Sequence, residues 1–321
     1  MNFLQKPHII FIHENRRFFK CSPNVLRNCG VFALLQQFKI LVDASKRIAS
    51  QPKSSTAVTF AKNNDSLSPS TFIPVAERPF IELTSVGSTN NYAMTLAKTS
   101  EAQHGMAVFA HHQTAGKGQR GKVWKDAPGQ NIALSVLLNA SSLLVSWQFR
   151  ASVAVAIAAQ RFFSKYALDD TKIKWPNDIY WRDRKAAGIL VENLIIGQEW
   201  QWAIAGIGVN INQAVFEEGI NNAVSLRQIT GKQFDTVALA RELASMITES
   251  FDGLTTTNFN QLLQLYNSVL YKRKQEVRLK KNSAVFTCTV EEVNENGELV
   301  TSGALPQNFR FGEVEWVLPG R

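Results

Sequence analysis

From Phe80 onward the chain alternates between two hydrophobic periods. FIELTS (80–85) and GMAVFAHH (105–112) read as short strands, the second running straight into a glycine-rich loop. NIALSVLLN (131–139) is a further strand. Between the first two, STNNYAMTLAKTS starts with cap-forming residues and continues with helical spacing. SWQFRASVAVAIAAQRFFSKYA (146–167) is the strongest predicted helix, long and rich in alanine. TKIKWPNDIYWRDRKAAGILVENL (171–194) reads as strand, Pro-Asn-Asp turn, strand, basic turn, strand. EWQWAIAGIGVNIN (199–212) adds a strand, and amphipathic helices are predicted near 235–252 and 258–274. The last 45 residues alternate short strands with Asn-Gly-type turns, which predicts a small separate β-barrel.

Residues 1–75 break this order. The stretch 49–72 is polar and without period, as in a linker, and GVFALLQQFKILVDASKRIA before it fits one amphipathic helix. The stretch 1–75 is expected to be disordered or non-catalytic. A false start, a targeting signal and a docking element remain alternatives. Charge divides at the same place. Residues 1–75 hold ten Lys and Arg against three Asp and Glu, whereas the remainder holds 25 against 23. The net charge of +9 therefore belongs mostly to the extension, and the body is not a polyanion binder on charge grounds. Three cysteines (Cys21, Cys29, Cys288) lack metal-ligand spacing and suggest a reducing compartment. Apolar stretches such as Val153–Ala159 are too short to cross a bilayer. No helix-turn-helix pattern is evident, and no internal repeat.

GKGQRGKV (116–123) satisfies G-x-G-x-x-G and nearly satisfies G-x-x-x-x-G-K-[ST], with Val123 in place of the hydroxyl residue. Both phosphate-binding patterns need a helix directly after the loop. VWKDAPGQN follows instead, with Pro128 and Gly129, and then a strand. A Rossmann turn and a P-loop are both disfavoured. What remains is either a flexible cationic loop able to close on an anion through Lys117, Arg120 and Lys122, or an ordinary basic hairpin. Lys185 has small neighbours (Ala186, Ala187, Gly188) that let a ligand approach it, although a lysine in a basic turn is commonly just solvated. His111 and His112 precede the loop and receive no role.

STN (88–90), QTAGKGQRGKVW (113–124), KWPND (174–178), RKAAGILVE (184–192) and GIGVNIN (206–212) occur in an order and spacing that closely resembles the biotin protein ligases. The resemblance covers about Phe80 to Leu318. It implies an α+β fold, a mixed β-sheet with helices packed on it (class II synthetase-like, the biotin–lipoate ligase fold), plus a small C-terminal SH3-like β-barrel. The implied domains are a catalytic domain at 76–274 and the barrel at 275–321. Without a winged helix in view, it looks like the ligase-only form, with no DNA partner.

The implied activity is ATP-dependent ligation of biotin, through biotinyl-5′-AMP, to a lysine of a biotin carboxyl carrier domain. A lipoate or octanoate ligase or transferase of the same fold is the alternative. The resemblance makes Lys185 and Arg120 catalytic. It assigns Ser88, Thr89, Asn90, Gln113, Lys117, Gly118, Gln119 and Lys185 to biotin, and Gly116, Lys117, Arg120, Trp124, Lys174, Asn177, Asp178 and Asn210 to ATP or the adenylate. From the residues alone, a helix cap (Ser88–Asn90), core packing (Trp124), a strand-end turn (Asn210) and an Asx-turn (Asp178) are competing readings. No metal site is expected, with Mg²⁺ arriving on ATP. A cytoplasmic, membrane-free monomer or homodimer is expected. The family's loop is most often Gly-Arg-Gly-Arg. Lys117 keeps charge there without bidentate geometry, and Gln119 keeps hydrogen bonding without charge, which implies weaker retention of the adenylate.

A chain beginning near Val75 is expected to fold and to ligate biotin as the full chain does. Thermal denaturation and a biotin-transfer assay on the shortened protein check this, and loss of either would make residues 1–75 a docking element.

Overall fold

The computed structural model describes residues 78–125, 127–167, 170–217, 222–255, 258–303 and 307–318. The extension and its expected helix lie outside them. Seven strands form a mixed sheet: β1 (Phe80–Leu83), β2 (Ala107–Ala110), β3 (Ile132–Asn139), β4 (Thr171–Lys174), β5 (Asp178–Trp181), β6 (Arg184–Ile196) and β7 (Glu199–Val209). Their order is β1-β2-β3-β7-β6-β5-β4, with β1 and β2 parallel and every other neighbour antiparallel.

The strand period of two decides what each face carries. Phe109, Leu134, Val136 and Leu138 join the main core, against helices α2 (Gln148–Ala167) and α4 (Thr236–Asp252). Val108, Leu137 and Ile204 point the other way, toward Ala93 of α1 (Thr89–Leu96). The alanines of α2 keep its backbone close to both the sheet and α4, so most of its length is buried. Asp235 caps α4 by accepting from the N–H groups of Val237 and Ala238.

Two elements differ from the sequence expectation. A short helix, α3 (Leu226–Thr230), opens on a capping box in which Ser225 and Gln228 satisfy each other's backbone N–H. The last helix, α5 (Phe259–Ser268), stops before the expected 274. Its apolar pattern continues, but Leu270 bridges Ile173, with Ile173 N–H donating to Val269 O and Tyr271 N–H to Ile173 O. The segment thus covers the open edge of β4, which would otherwise leave main-chain groups unpaired.

From Glu276 a second sheet forms: β8 (Glu276–Lys281), β9 (Ala284–Val293), β10 (Leu299–Ser302), β11 (Gln307–Phe309) and β12 (Glu315–Trp316). It is antiparallel in the order β11-β10-β9-β8-β12. Hydrogen bonds join it to the first sheet and α5. Trp175 Nε1 donates to Gly297 O at 3.0 Å, and Trp316 Nε1 donates back to Trp175 O at 3.2 Å. Asn267 of α5 exchanges two buried hydrogen bonds with the backbone of Val293. Among the described residues no helix is long and apolar enough to cross a membrane.

Trp175 is 2% exposed and stands at this junction. Trp175→Ala is expected to destabilise the protein by about 3–5 kcal/mol, the usual cost of emptying a large aromatic site. Urea denaturation followed by far-UV circular dichroism checks it.

Candidate active site

The site lies on the α1 face of the large sheet, where β7 carries two glycines. A Cβ on Gly206 would collide with the carboxamide of Asn90, and one on Gly208 would collide with the indole of Trp124. Both positions therefore work only as glycine. The backbone there forms the floor of a pocket lined by Ser88, Thr89, Asn90, Gln113, Trp124 and Lys185 among others.

Its polar wall is a closed network. Gln113 Oε1 accepts from Thr89 N at 2.8 Å and from Thr89 Oγ1 at 3.1 Å. Ser135 Oγ lies 2.8 Å from Thr89 Oγ1 and 2.6 Å from Asn90 Oδ1. Asn90 Nδ2 donates to Leu190 O and to Glu192 Oε2, at 3.2 and 2.8 Å. Ser88 occupies the N-cap position of α1 with an extended backbone, yet its side chain makes no capping bond. Gln113, from the segment after β2, meets the first N–H of the helix instead.

The glycine loop is a hydrogen-bonded hairpin. Gly118 N–H donates to Lys122 O at 2.7 Å and Trp124 N–H to Gly116 O at 2.9 Å, around a short 3₁₀ turn at Gln119–Gly121. A Cβ on Gly116 would come within 2.5 Å of Trp124 O, which explains that glycine. No helix follows the loop among the described residues, and the next element is β3. Neither phosphate-loop geometry is present. Lys117, Gly118 and Gln119 line the pocket, and Lys117 Nζ stands 3.6 Å from Glu192 Oε1.

Lys185 reaches the pocket because of a bulge. Ile179 pairs with Ala187, whereas Tyr180 pairs with Lys185, leaving Ala186 as an extra residue in β6. The bulge shifts the strand's parity and puts Lys185 on the same face as Gly188. The bare Cα of Gly188 leaves room for the ammonium: a Cβ there would lie 3.3 Å from Lys185 Nζ. Asp178 Oδ1 holds that ammonium at 2.6 Å. Asn177 lines the pocket as well, and its amide is anchored on Ile189 O.

Five of the expected residues, Gly116, Arg120, Lys174, Asp178 and Asn210, lie outside that lining. Lys174 is buried outside the pocket lining, with its ammonium 5.1 Å from the Tyr180 ring and 5.2 Å from that of Trp316. Burial lowers its pKa to about 8, against the opposing pull of Asp178. Asn210 is also outside the lining and donates to Lys185 O at 3.3 Å, thereby fixing the backbone of the lysine. Asp178 contacts the site through Lys185. Arg120 has a left-handed backbone (φ 56°, ψ 40°) that turns its side chain away from the pocket, and its Nη1 donates to Gly312 O at 2.9 Å.

Trp124 lines the pocket, and its buried Nε1 has no hydrogen-bond partner. Ser135 and Glu192 were missed from sequence. Ser135 sits inside a strand that reads as apolar, and Glu192 ends RKAAGILVE (184–192) without any spacing that marks it. Among the described residues no cluster of His, Cys, Asp and Glu could hold a metal ion.

Residues 82–210 match the family described as biotin/lipoate A/B protein ligase. The chain is similar to the bifunctional ligase/repressor BirA of Escherichia coli (strain K12), 34% identical over 161 residues, which are 49% of each chain. It thus spans about half the length of that relative. It is also similar to the biotin–[acetyl-CoA-carboxylase] ligase of Paracoccus denitrificans, 28% identical over 67% of this chain and 91% of the relative. Among solved structures, the biotin protein ligase from Aquifex aeolicus in complex with biotin and ATP aligns with a TM-score of 0.63 and 24% identity, over 74% of this chain and 98% of that one. Its fold is shared over nearly its whole length, and the stretch matched by the family holds the polar wall, the loop, the bulged lysine and the glycine floor. Residues 82–210 of this chain therefore match the biotin/lipoate A/B protein ligase family, and the chain shares the fold of the Aquifex aeolicus biotin protein ligase.

Proposed function

We propose that this protein activates biotin with ATP as biotinyl-5′-AMP and then transfers the biotinyl group to one lysine of a biotin carboxyl carrier domain. The observation that carries this reading is the bulge-placed Lys185, held by Asp178 at the mouth of a pocket whose far wall is a network of amides and hydroxyls. A ureido ring is flat, polar and needs matched donors and acceptors. Ser88, Thr89, Asn90 and Gln113 offer both kinds, already fixed in direction by Ser135 and Glu192. The unpartnered Nε1 of Trp124 offers one more donor inside the same pocket.

A carboxylate is a poor electrophile and must first become a mixed anhydride with AMP. Forming it brings the carboxylate and the α-phosphate together, two anions that repel. Lys185 supplies positive charge where they meet, and Lys117 adds charge from the loop. Lys117 then exchanges its Glu192 partner for the phosphate. The carboxylate oxygen attacks phosphorus and pyrophosphate leaves. In the second step the neutral amine of the carrier lysine attacks the acyl carbon, and the bond to the AMP oxygen breaks. Asp178 keeps Lys185 oriented in both steps. Mg²⁺ would enter bound to the phosphates of the nucleotide.

Lys185→Ala is expected to slow adenylate formation by at least about a hundredfold, the usual effect of removing one preorganised stabiliser of developing charge. Pyrophosphate release with biotin and MgATP measures it, with lipoate in place of biotin as the specificity control. A near-wild-type rate would remove Lys185 from the mechanism.

Gly206→Ala displaces Asn90 and leaves its buried partners unpaired. It is expected to weaken biotin binding by at least about tenfold while the protein stays folded. Isothermal titration calorimetry beside a thermal melt separates the two effects.

A further inference from the structure

Arg120 belongs to the glycine loop by sequence, but its side chain binds the second sheet. Its Nη1 donates to the carbonyl of Gly312, in the turn between β11 and β12. The contact is close. A Cβ on Gly312 would lie 3.0 Å from Arg120 Nη1 and 3.1 Å from Cζ. Gly312 also has φ 86°, the left-handed region that favours glycine, and any Cβ there would push on the guanidinium. Arg120 itself adopts a left-handed backbone, a conformation that costs a non-glycine residue energy and persists where other contacts hold it.

The neighbouring residue carries the effect into the site. Gln119 lines the pocket, and it also lines a cavity of about 210 Å³ shared with Gly297 and Phe311 of the second sheet. The same sheet grips the WPN turn through the paired hydrogen bonds of Trp175 and Trp316. Both segments that flank Lys185 are thus tied to one small β-structure.

We propose that Arg120 is a positioning residue. Through the Gly312 carbonyl, the C-terminal sheet holds the glycine loop on its hairpin path and slows escape of the acyl-adenylate. The latch itself rests on the contacts above. That the retained ligand is biotinyl-5′-AMP rests on the proposed function. The opposing view is that Arg120 swings inward and contacts phosphate directly. The two views differ in what freeing the arginine does. Under the latch, crowding Gly312 loosens the loop even though Arg120 remains. Under direct contact, a freed arginine holds the adenylate as well as before or better.

The test uses the full chain with Arg120→Ala, Arg120→Lys, Gly312→Ala and the double variant Arg120→Ala/Gly312→Ala. Hydrogen exchange of the loop amides is followed without ligand. Release of biotinyl-5′-AMP made in place is followed by chase with unlabelled ligand. Loss of one exposed, charge-assisted hydrogen bond is expected to speed both by about fivefold. Arg120→Lys should retain part of the effect, and the double variant should exceed Arg120→Ala by little. Pyrophosphate release should change far less than adenylate release, a split that general destabilisation does not give. Unchanged loop exchange in Arg120→Ala overturns the latch, and because that side chain is exposed the variant reports even if Gly312→Ala fails to fold. Faster release in Arg120→Ala with wild-type release in a folded Gly312→Ala also overturns it, in favour of phosphate contact. Absence of adenylate from the wild-type protein defeats the proposed function instead, and loop exchange still decides the latch.

Discussion

Two missing side chains on β7 set the terms for everything on one face of the sheet. Gly206 leaves the volume that the Asn90 carboxamide fills, and Gly208 leaves the volume that the Trp124 indole fills. With any other residue at either place, α1 and the glycine loop could not approach the sheet. The polar wall and the loop would then lose their common floor. Close packing makes this constraint strict, because an interior filled at crystal-like density has no slack for even one added carbon.

The amides and hydroxyls brought in by that approach are largely buried and need partners, while Trp124 Nε1 is left without one. The network from Gln113 through Thr89 and Ser135 to Asn90 and Glu192 provides them with no water required. It also fixes which atoms face a ligand, and a pre-fixed wall loses little freedom on binding. Lys185 follows a different rule. Its side chain is about a third exposed and its ammonium is paired with the Asp178 carboxylate. Lys174, one hairpin away, is buried without such a partner, and its pKa falls to about 8. Two lysines of neighbouring motifs thus differ in surroundings: one bonds a carboxylate and the other rests between aromatic rings.

The second sheet is part of this arrangement and not an appendage. Its hydrogen bonds with Trp175 and Arg120 converge on the two segments beside Lys185. Association at an interface of this kind depends on a few directed contacts more than on area. The turns at Gly312 and Gly297 thus bond directly to the segments on either side of a site built almost wholly from the first sheet.

The sequence by itself determined most of the elements. Period-two runs and the alanine-rich helical stretch mark β1 to β7 and α2, and Pro128 and Gly129 exclude a helix after the glycine loop. It also carried the motifs from which Ser88, Thr89, Asn90, Gln113, Lys117 and Lys185 were drawn, all of which converge on one pocket. Tertiary structure decided the rest, because the deciding contacts lie far apart along the chain. The length of α5 was settled by the open edge of β4, which local propensity does not encode. The direction of Lys185 was settled by a bulge, since one extra residue reverses which face a side chain takes. Ser135 was hidden in an apolar strand, where only the cross-sheet neighbours Thr89 and Asn90 give a hydroxyl a purpose. Arg120 reads as a loop cation in sequence, and only the fold brings Gly312, 192 residues away, to its guanidinium.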